Sequence, residues 1–195
     1  MRRSIVAIAC AVALLFAGFS PASAQPPERV DVLDQGGVEV YAPDGARLVR
    51  QTNSVAASVT MPTPVSGEYL YPDGTEPGHP EVFTLWMFVF NHPENCSGLC
   101  GPDDMTNPEV EFGAYNVAGH VTAGNSMTLS GRIGVGEVAG APPGVTPHDL
   151  SNPAGAEVHL AVTSHGALDP ATLPAEFHRP TGNGGCGCWW LAIFE

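Results

Sequence analysis

Apolar residues recur along this chain in short alternating runs separated by turn residues, a spacing that predicts strands rather than helices. From Ser54 to Met61 the side chains of Val55, Ala57, Val59 and Met61 fall on one face. Ala156 to Ser164 alternates in the same way, with Ala156, Val158, Leu160 and Val162 inward. Glu81 to Phe90 differs, being apolar on both faces (Val82, Trp86, Phe88 and Phe90 against Phe83, Leu85, Met87 and Val89). Its aromatic and β-branched content predicts a central strand covered on both sides. Val110 to Ala123 and Met127 to Val135 are expected to form an antiparallel pair turned at Gly124-Asn125, and Trp189 to Phe194 a closing strand.

Between these runs stand 23 glycines and 19 prolines, placing a turn signal about every 8 to 15 residues, the pattern of an all-β sandwich or barrel. Tyr41-Ala42-Pro43-Asp44-Gly45 and Tyr71-Pro72-Asp73-Gly74 both read as turns, since Pro presets φ and Gly supplies positive φ. Helix is confined to one or two turns within Pro170 to Phe177, and Ala139 to Pro153 reads as a long surface loop. The expected fold is a single Greek-key β-sandwich, immunoglobulin-like or dismutase-like, over residues 53–195. Residues 25–52 supply a lead-in and first strand.

Residues 1–24 form an export signal by pattern. Met1-Arg2-Arg3 is a positive start, Ile5 to Phe19 a mostly apolar run, and Ala22-Ser23-Ala24 a small-x-small cleavage pattern ahead of Gln25. The expected location is therefore secreted, periplasmic or cell-envelope. No later stretch approaches the roughly 18 apolar residues of a membrane span. Export changes the charge reading: after residue 24, five arginines against twenty acidic side chains leave a net −15, and lysine is absent from the whole chain. Nucleic-acid binding, which needs cationic side chains to replace counterions, is disfavoured. Lysine-based catalysis is excluded.

Four cysteines follow the leader: Cys96, Cys100, Cys186 and Cys188. In an oxidising compartment an even number predicts disulfides, with three possible connectivities. Pairing of neighbours, Cys96 with Cys100 and Cys186 with Cys188, is preferred; the alternative ties the two clusters together.

Candidate chemistry centres on histidine. In an extended strand Glu157, His159, Thr163 and His165 share one face, and His120 and His92 would approach them if their strands are neighbours. Three imidazoles with a carboxylate would suit zinc or copper. Asp103, Asp104, Asn107 and Glu109 offer oxygen ligands for calcium. Trp86, Trp189 and Trp190 with Tyr69, Tyr71 and Tyr115 could make a carbohydrate platform, although aromatic residues in strands usually serve the core. Gly182-x-Gly184-x-x-Gly187 matches the dinucleotide pattern by letter but lacks a βαβ unit. Neither Gly-x-Ser-x-Gly nor His-Glu-x-x-His occurs.

Two longer motifs stand out: Asn91-His92-Pro93-Glu94-Asn95-Cys96 followed by Cys100-Gly101, and Gly155-Ala156-Glu157-Val158-His159-Leu160 through Ser164-His165-Gly166. In this order, over Phe83 to Cys188, the chain resembles a family of uncharacterised exported bacterial proteins. More distantly it is similar to the CHRD domain of chordin and secreted bacterial proteins, which implies an immunoglobulin-like or dismutase-like sandwich. The usual closing Gly-Glu-Ile-Arg-Gly of that domain is missing. The expected function is a non-enzymatic binding domain for an extracellular protein or small ligand. The alternatives are a copper- or zinc-binding protein built on His159, His165, His120, His92 and Glu157, and a hydrolase without a recognisable motif.

Overall fold

A computed structural model describes residues 25–64, 80–122, 124–178 and 189–195. The expected leader, the turn expected at residues 71–74, Tyr69, and Cys186 with Cys188 lie outside the described residues. Among those described, eight antiparallel strands run as β1 (Glu28–Leu33), β2 (Val40–Gln51), β3 (Ser54–Pro62), β4 (Glu81–Phe90), β5 (Phe112–Thr122), β6 (Ser126–Gly134), β7 (Glu157–Ala167) and β8 (Trp189–Phe194). Helix is limited to 3₁₀ turns at Pro93–Asn95, Pro102–Thr106 and Ala175–His178. The all-β expectation holds.

The strands form one sheet in the order β5-β4-β7-β8-β1-β2-β3-β6. Its two halves, β5-β4-β7-β8 and β1-β2-β3-β6, are joined in register at Leu33 opposite Leu191. They stack through a common core to which β2, β3 and β6 contribute Leu48, Val59 and Leu129, and β4, β7 and β8 contribute Phe83, Leu85, Leu160 and Phe194. Trp190 is buried in that core, its ring 6.0 Å from Tyr41 and 6.2 Å from Phe83. The alternating residues Val158, Leu160 and Val162 of β7 point inward as their period requires.

The free edges, β5 and β6, meet and nearly close the sheet. Their contact is a seam of packing: β5 pairs in register with β4, and β6 with β3. The hairpin expected at Gly124-Asn125 therefore does not form as a ladder. The chain does turn there, but each arm pairs with a strand of its own half. Around the closed order β4, β5 and β6 are consecutive neighbours and β7 returns beside β4, which is a Greek key. Gly131 makes the close approach possible, since a Cβ there would lie 2.5 Å from the Cβ and 2.6 Å from the carbonyl oxygen of Val117. Gly131→Val should lower stability by about 2 kcal/mol, because the seam has no slack for added methyl groups. Urea unfolding of the variant checks this; an unchanged midpoint would show a loose seam.

A second difference lies in residues 41–45. Pro43-Asp44-Gly45 does not reverse the chain; it bulges within β2, where Val30 pairs with Ala46 and Val32 with Ala42. The positive φ falls on Asp44 (49°), not on Gly45. The Asp44 N–H is held by the Asp31 carboxylate at 2.8 Å. Gly45 serves for space, since a Cβ would lie 2.7 Å from the Thr60 carbonyl oxygen. The reversal comes earlier, at Asp34 to Glu39, where Asp34 Oδ1 accepts the N–H groups of Val38 and Glu39 and Gly37 takes φ 66°. The stretch 25–52 thus carries two strands, one more than its sparse pattern suggests.

The outer face of β4 and β5 is covered in turn. Phe90, Phe112, Ala114, Val110 and Cys100 form a second apolar cluster beneath the 91–111 segment. Residues 139–150 lie along the edge of β5, where Ala114 and Gly140 exchange backbone hydrogen bonds of 2.8 Å and His148 N–H donates to the Phe112 carbonyl. That loop therefore shields an otherwise open edge.

Candidate functional site

The Glu157–His159 pair stands at the start of β7, on its outward face. Register places His159 between Phe88 of β4 and Ile193 of β8. The ring nitrogen Nε2 lies 2.6 Å from Glu157 Oε1, and the same oxygen accepts the Cys100 N–H at 2.9 Å. A carboxylate accepts only, so Nε2 carries the hydrogen and the lone pair sits on Nδ1. Phe90 packs against the imidazole with ring centroids 5.0 Å apart. The His159 side chain is 12% exposed and that of Glu157 5%.

The loop above is set by Cys96–Cys100, a disulfide with Cα atoms 5.3 Å apart. Asp104 clamps it from below, accepting the N–H groups of Ser97 and Gly101. Asn107 Oδ1 accepts the Glu109 N–H. Two of the residues considered for calcium thus spend side-chain oxygens on the loop's own backbone.

Burial pulls the His159 pKa below its ordinary 6.5, and the hydrogen bond and charge of Glu157 offset part of that fall. The stability consequence follows from linkage. A histidine whose folded pKa is depressed leaves the unfolded chain binding more protons, so its contribution is complete above pH 6.5 and is lost as pH falls through the folded value. Urea midpoints should therefore drop between pH 7 and pH 5, and His159→Gln should remove that share of the slope. Identical slopes in both chains would refute this assignment.

The remaining histidines go elsewhere. His165 is the extra residue of a bulge in β7, since Val82 pairs with Gly166 and Phe83 with Ser164. Its Nε2 lies 2.9 Å from Thr84 Oγ1, which also accepts the Trp86 indole N–H at 3.2 Å. It lies six positions beyond His159, about 20 Å along a strand. His120 sits on β5 opposite Phe83. His92 lies beyond β4, its ring nitrogens 3.2 Å from Glu94 and 3.6 Å from Glu111. Of the five residues grouped by sequence, only Glu157 and His159 meet. Among the described residues no three His, Cys, Asp or Glu side chains converge on one point.

Two concavities on the outside of the sheet adjoin across the seam. One, of about 360 Å³, runs over β2, β3 and β6 between Arg47 and Arg132, floored by Ala56, Ser58, Ser130 and Gly131. The other, of about 320 Å³, runs over β5 from Arg132 to Trp86 and includes Asn116, Val117 and Glu137. Arg132 lines both. Gly131 and Val117, the contact that closes the seam, form the sill between them.

Neither Arg47 nor Arg132 forms an ion pair among the described residues, whereas Arg50 is paired with Glu28 at 2.7 Å. Trp86 is half-buried and backed by Phe88, the rings stacked at 6.3 Å and 18°. Of the aromatic platform expected from the sequence, Trp190 and Tyr115 are core residues, which leaves Trp86 among the members whose side chains are described.

Comparison with family models, with curated proteins and with solved structures finds no match. The site must be read from its own geometry. The sequence pattern alone did not reveal Arg47 and Arg132. Alternation puts each outward beside a buried neighbour (Leu48 and Ile133), but only the β2-β3-β6 register brings them to one hollow. A lysine-free chain with few arginines was the available signal.

Proposed function

We propose that this chain is an exported, non-enzymatic binding domain whose ligand lies across the β5/β6 seam. The observation that carries this reading is the pair of adjoining hollows sharing Arg132, each within the volume range of small-ligand sites. Polar groups converge from four strands, and a tryptophan face closes one end. Export is supported by the charged start, apolar run and Ala22-Ser23-Ala24 of the leader, and by the Cys96–Cys100 bond, which suits an oxidising compartment.

The Glu157–His159 pair favours catalysis less. An oriented neutral imidazole can act as a base, but its hydrogen-bond partner among the described residues is Glu157, and no hydroxyl or thiol among them is hydrogen-bonded to the ring. As a metal station it offers two donors, and catalytic or structural zinc takes three or four from the protein.

The test is backbone chemical-shift mapping on chain purified after export, whose first residue should be Gln25. A panel of mono- and oligosaccharides, amino acids and sugar acids is titrated, with zinc and copper as separate arms. Shifts at 114–117, 130–132 and 137–140 are expected. Shifts confined to the Cys96–Cys100 loop and His159, or stoichiometric metal uptake there, would overturn the seam reading.

A further inference from the structure

We infer that the seam hollows take an acidic oligosaccharide, with a uronate carboxylate on Arg47 and Arg132 and a neighbouring sugar ring on Trp86. This rests on the binding role proposed for the seam and names the ligand class. The charge pattern is the first argument. With a net −15 beyond the leader, the surface as a whole repels anions. Yet two of its arginines flank one depression without a carboxylate partner among the described residues. A guanidinium presents paired donors that match a carboxylate in bidentate fashion, which makes such a pair a local anion station.

Shape supplies the second argument. Register aligns Arg47, Ser58 and Ser130 in a row across β2, β3 and β6, and sets Arg132 beside Ala56 one step along. Small side chains between two long ones leave a shallow floor that admits a ring, with two hydroxyls to meet ring substituents. Across the sill, Trp86 has its indole N–H committed to Thr84, so what it offers a ligand is an apolar face. Asn116 and Glu137 stand beside it. Glu137 Oε2 accepts the Gly134 N–H, and a carboxylate retains further acceptor capacity for sugar hydroxyls. An anion site, hydroxyl partners and an aromatic face in sequence fit an extended, partly charged carbohydrate.

Other anions fit less well. A free phosphate or sulfate would occupy one end and leave Trp86 unused. An acidic peptide binding by strand addition needs a free edge, and the β5 edge is already bonded to Gly140 and His148.

Calorimetry on the full exported chain tests the proposal with four probes: a galacturonate hexamer, an oligomer of alternating glucuronate and N-acetylglucosamine, a neutral galactose hexamer, and inorganic sulfate. At least one uronate oligomer should bind and change tryptophan fluorescence. Arg47→Gln and Arg132→Gln should each weaken it about tenfold or more, the scale of a lost charge-assisted contact. Trp86→Leu should weaken it without removing its salt dependence, and thermal melts confirm that each variant is folded. Neutral and uronate hexamers bound equally, or arginine variants bound like the parent, would overturn the anion assignment while leaving the seam reading intact. Sulfate bound as tightly as the oligomers would reduce the site to a simple ion contact and overturn the sugar. No binding of either uronate oligomer at millimolar concentration would also overturn it.

Discussion

Asn91→Ala should destabilise the fold by about 3–5 kcal/mol, because it removes a buried side chain and strips partners from four part-buried backbone groups at once. Asn91 is fully buried just beyond β4. Its Nδ2 donates to the carbonyls of Glu111 at 2.8 Å and Asp149 at 3.0 Å. Its Oδ1 accepts the N–H groups of Ser151 at 2.9 Å and Asn152 at 3.2 Å. Asn152 returns the contact by donating from Nδ2 to the Asn91 carbonyl. One amide thus ties the end of β4, the start of β5 and the 149–152 turn. Asn91→Asp discriminates between a polar pin and mere volume. The aspartate keeps the acceptor role but sets a carboxylate oxygen against two carbonyls, so its loss should match or exceed that of alanine near neutral pH. Stability should partly recover in acid, when the carboxyl regains a hydrogen. Equal, pH-independent losses in the two variants would show that the hydrogen-bond pattern is not what matters.

The next largest effect is expected for Glu28→Ala, at about 3 kcal/mol, because it leaves a buried guanidinium without its carboxylate. Arg50 is 4% exposed and Glu28 33%, so solvent already screens part of the attraction and the lower end of the buried-pair range applies. Arg50 also donates from Nη1 to the carbonyls of Ala156 and Pro153, linking β2 to the turn that enters β7. The double variant Glu28→Leu with Arg50→Met should recover much of the loss, since an apolar pair carries no desolvation cost. A urea-unfolding cycle over the parent, Glu28→Leu, Arg50→Met and the double variant measures the coupling. Additive single effects would mean that the two charges do not interact.

These two sites show the limit of reading one dimension. Asn91 and Glu157 were visible as motif letters, and the Cys96–Cys100 bond as the nearer of several pairings, because short separation alone brings those residues together. His159 and His165 were grouped by strand alternation, which is correct as far as alternation goes. A bulge at His165 and partners from β4 then gave each imidazole a separate role. His120 and His92 depended on which strands are neighbours, and no local pattern encodes that. The aromatic residues whose side chains are described divide for a similar reason: Trp190 and Tyr115 are drawn into the core, while Trp86, in the most apolar run, retains a half-exposed outer face.

What the sequence determined by itself is the all-β class, the strands β3 to β8, and the inward faces of β3 and β7, because a two-residue period and Gly/Pro punctuation are local signals. Tertiary structure decided the pairing. Residues 41–45 became a bulge, because the Asp31 carboxylate and the Thr60 carbonyl hold Asp44 and Gly45 inside a continuing ladder. β5 and β6 became seam partners instead of a hairpin, because the backbone groups of β5 are taken up along its length by β4 and those of β6 by β3. The Arg47–Arg132 hollow exists only through that choice, since the β2-β3 hairpin supplies Arg47 and Ser58 while Arg132 comes from β6, which the chain reaches only after β4 and β5.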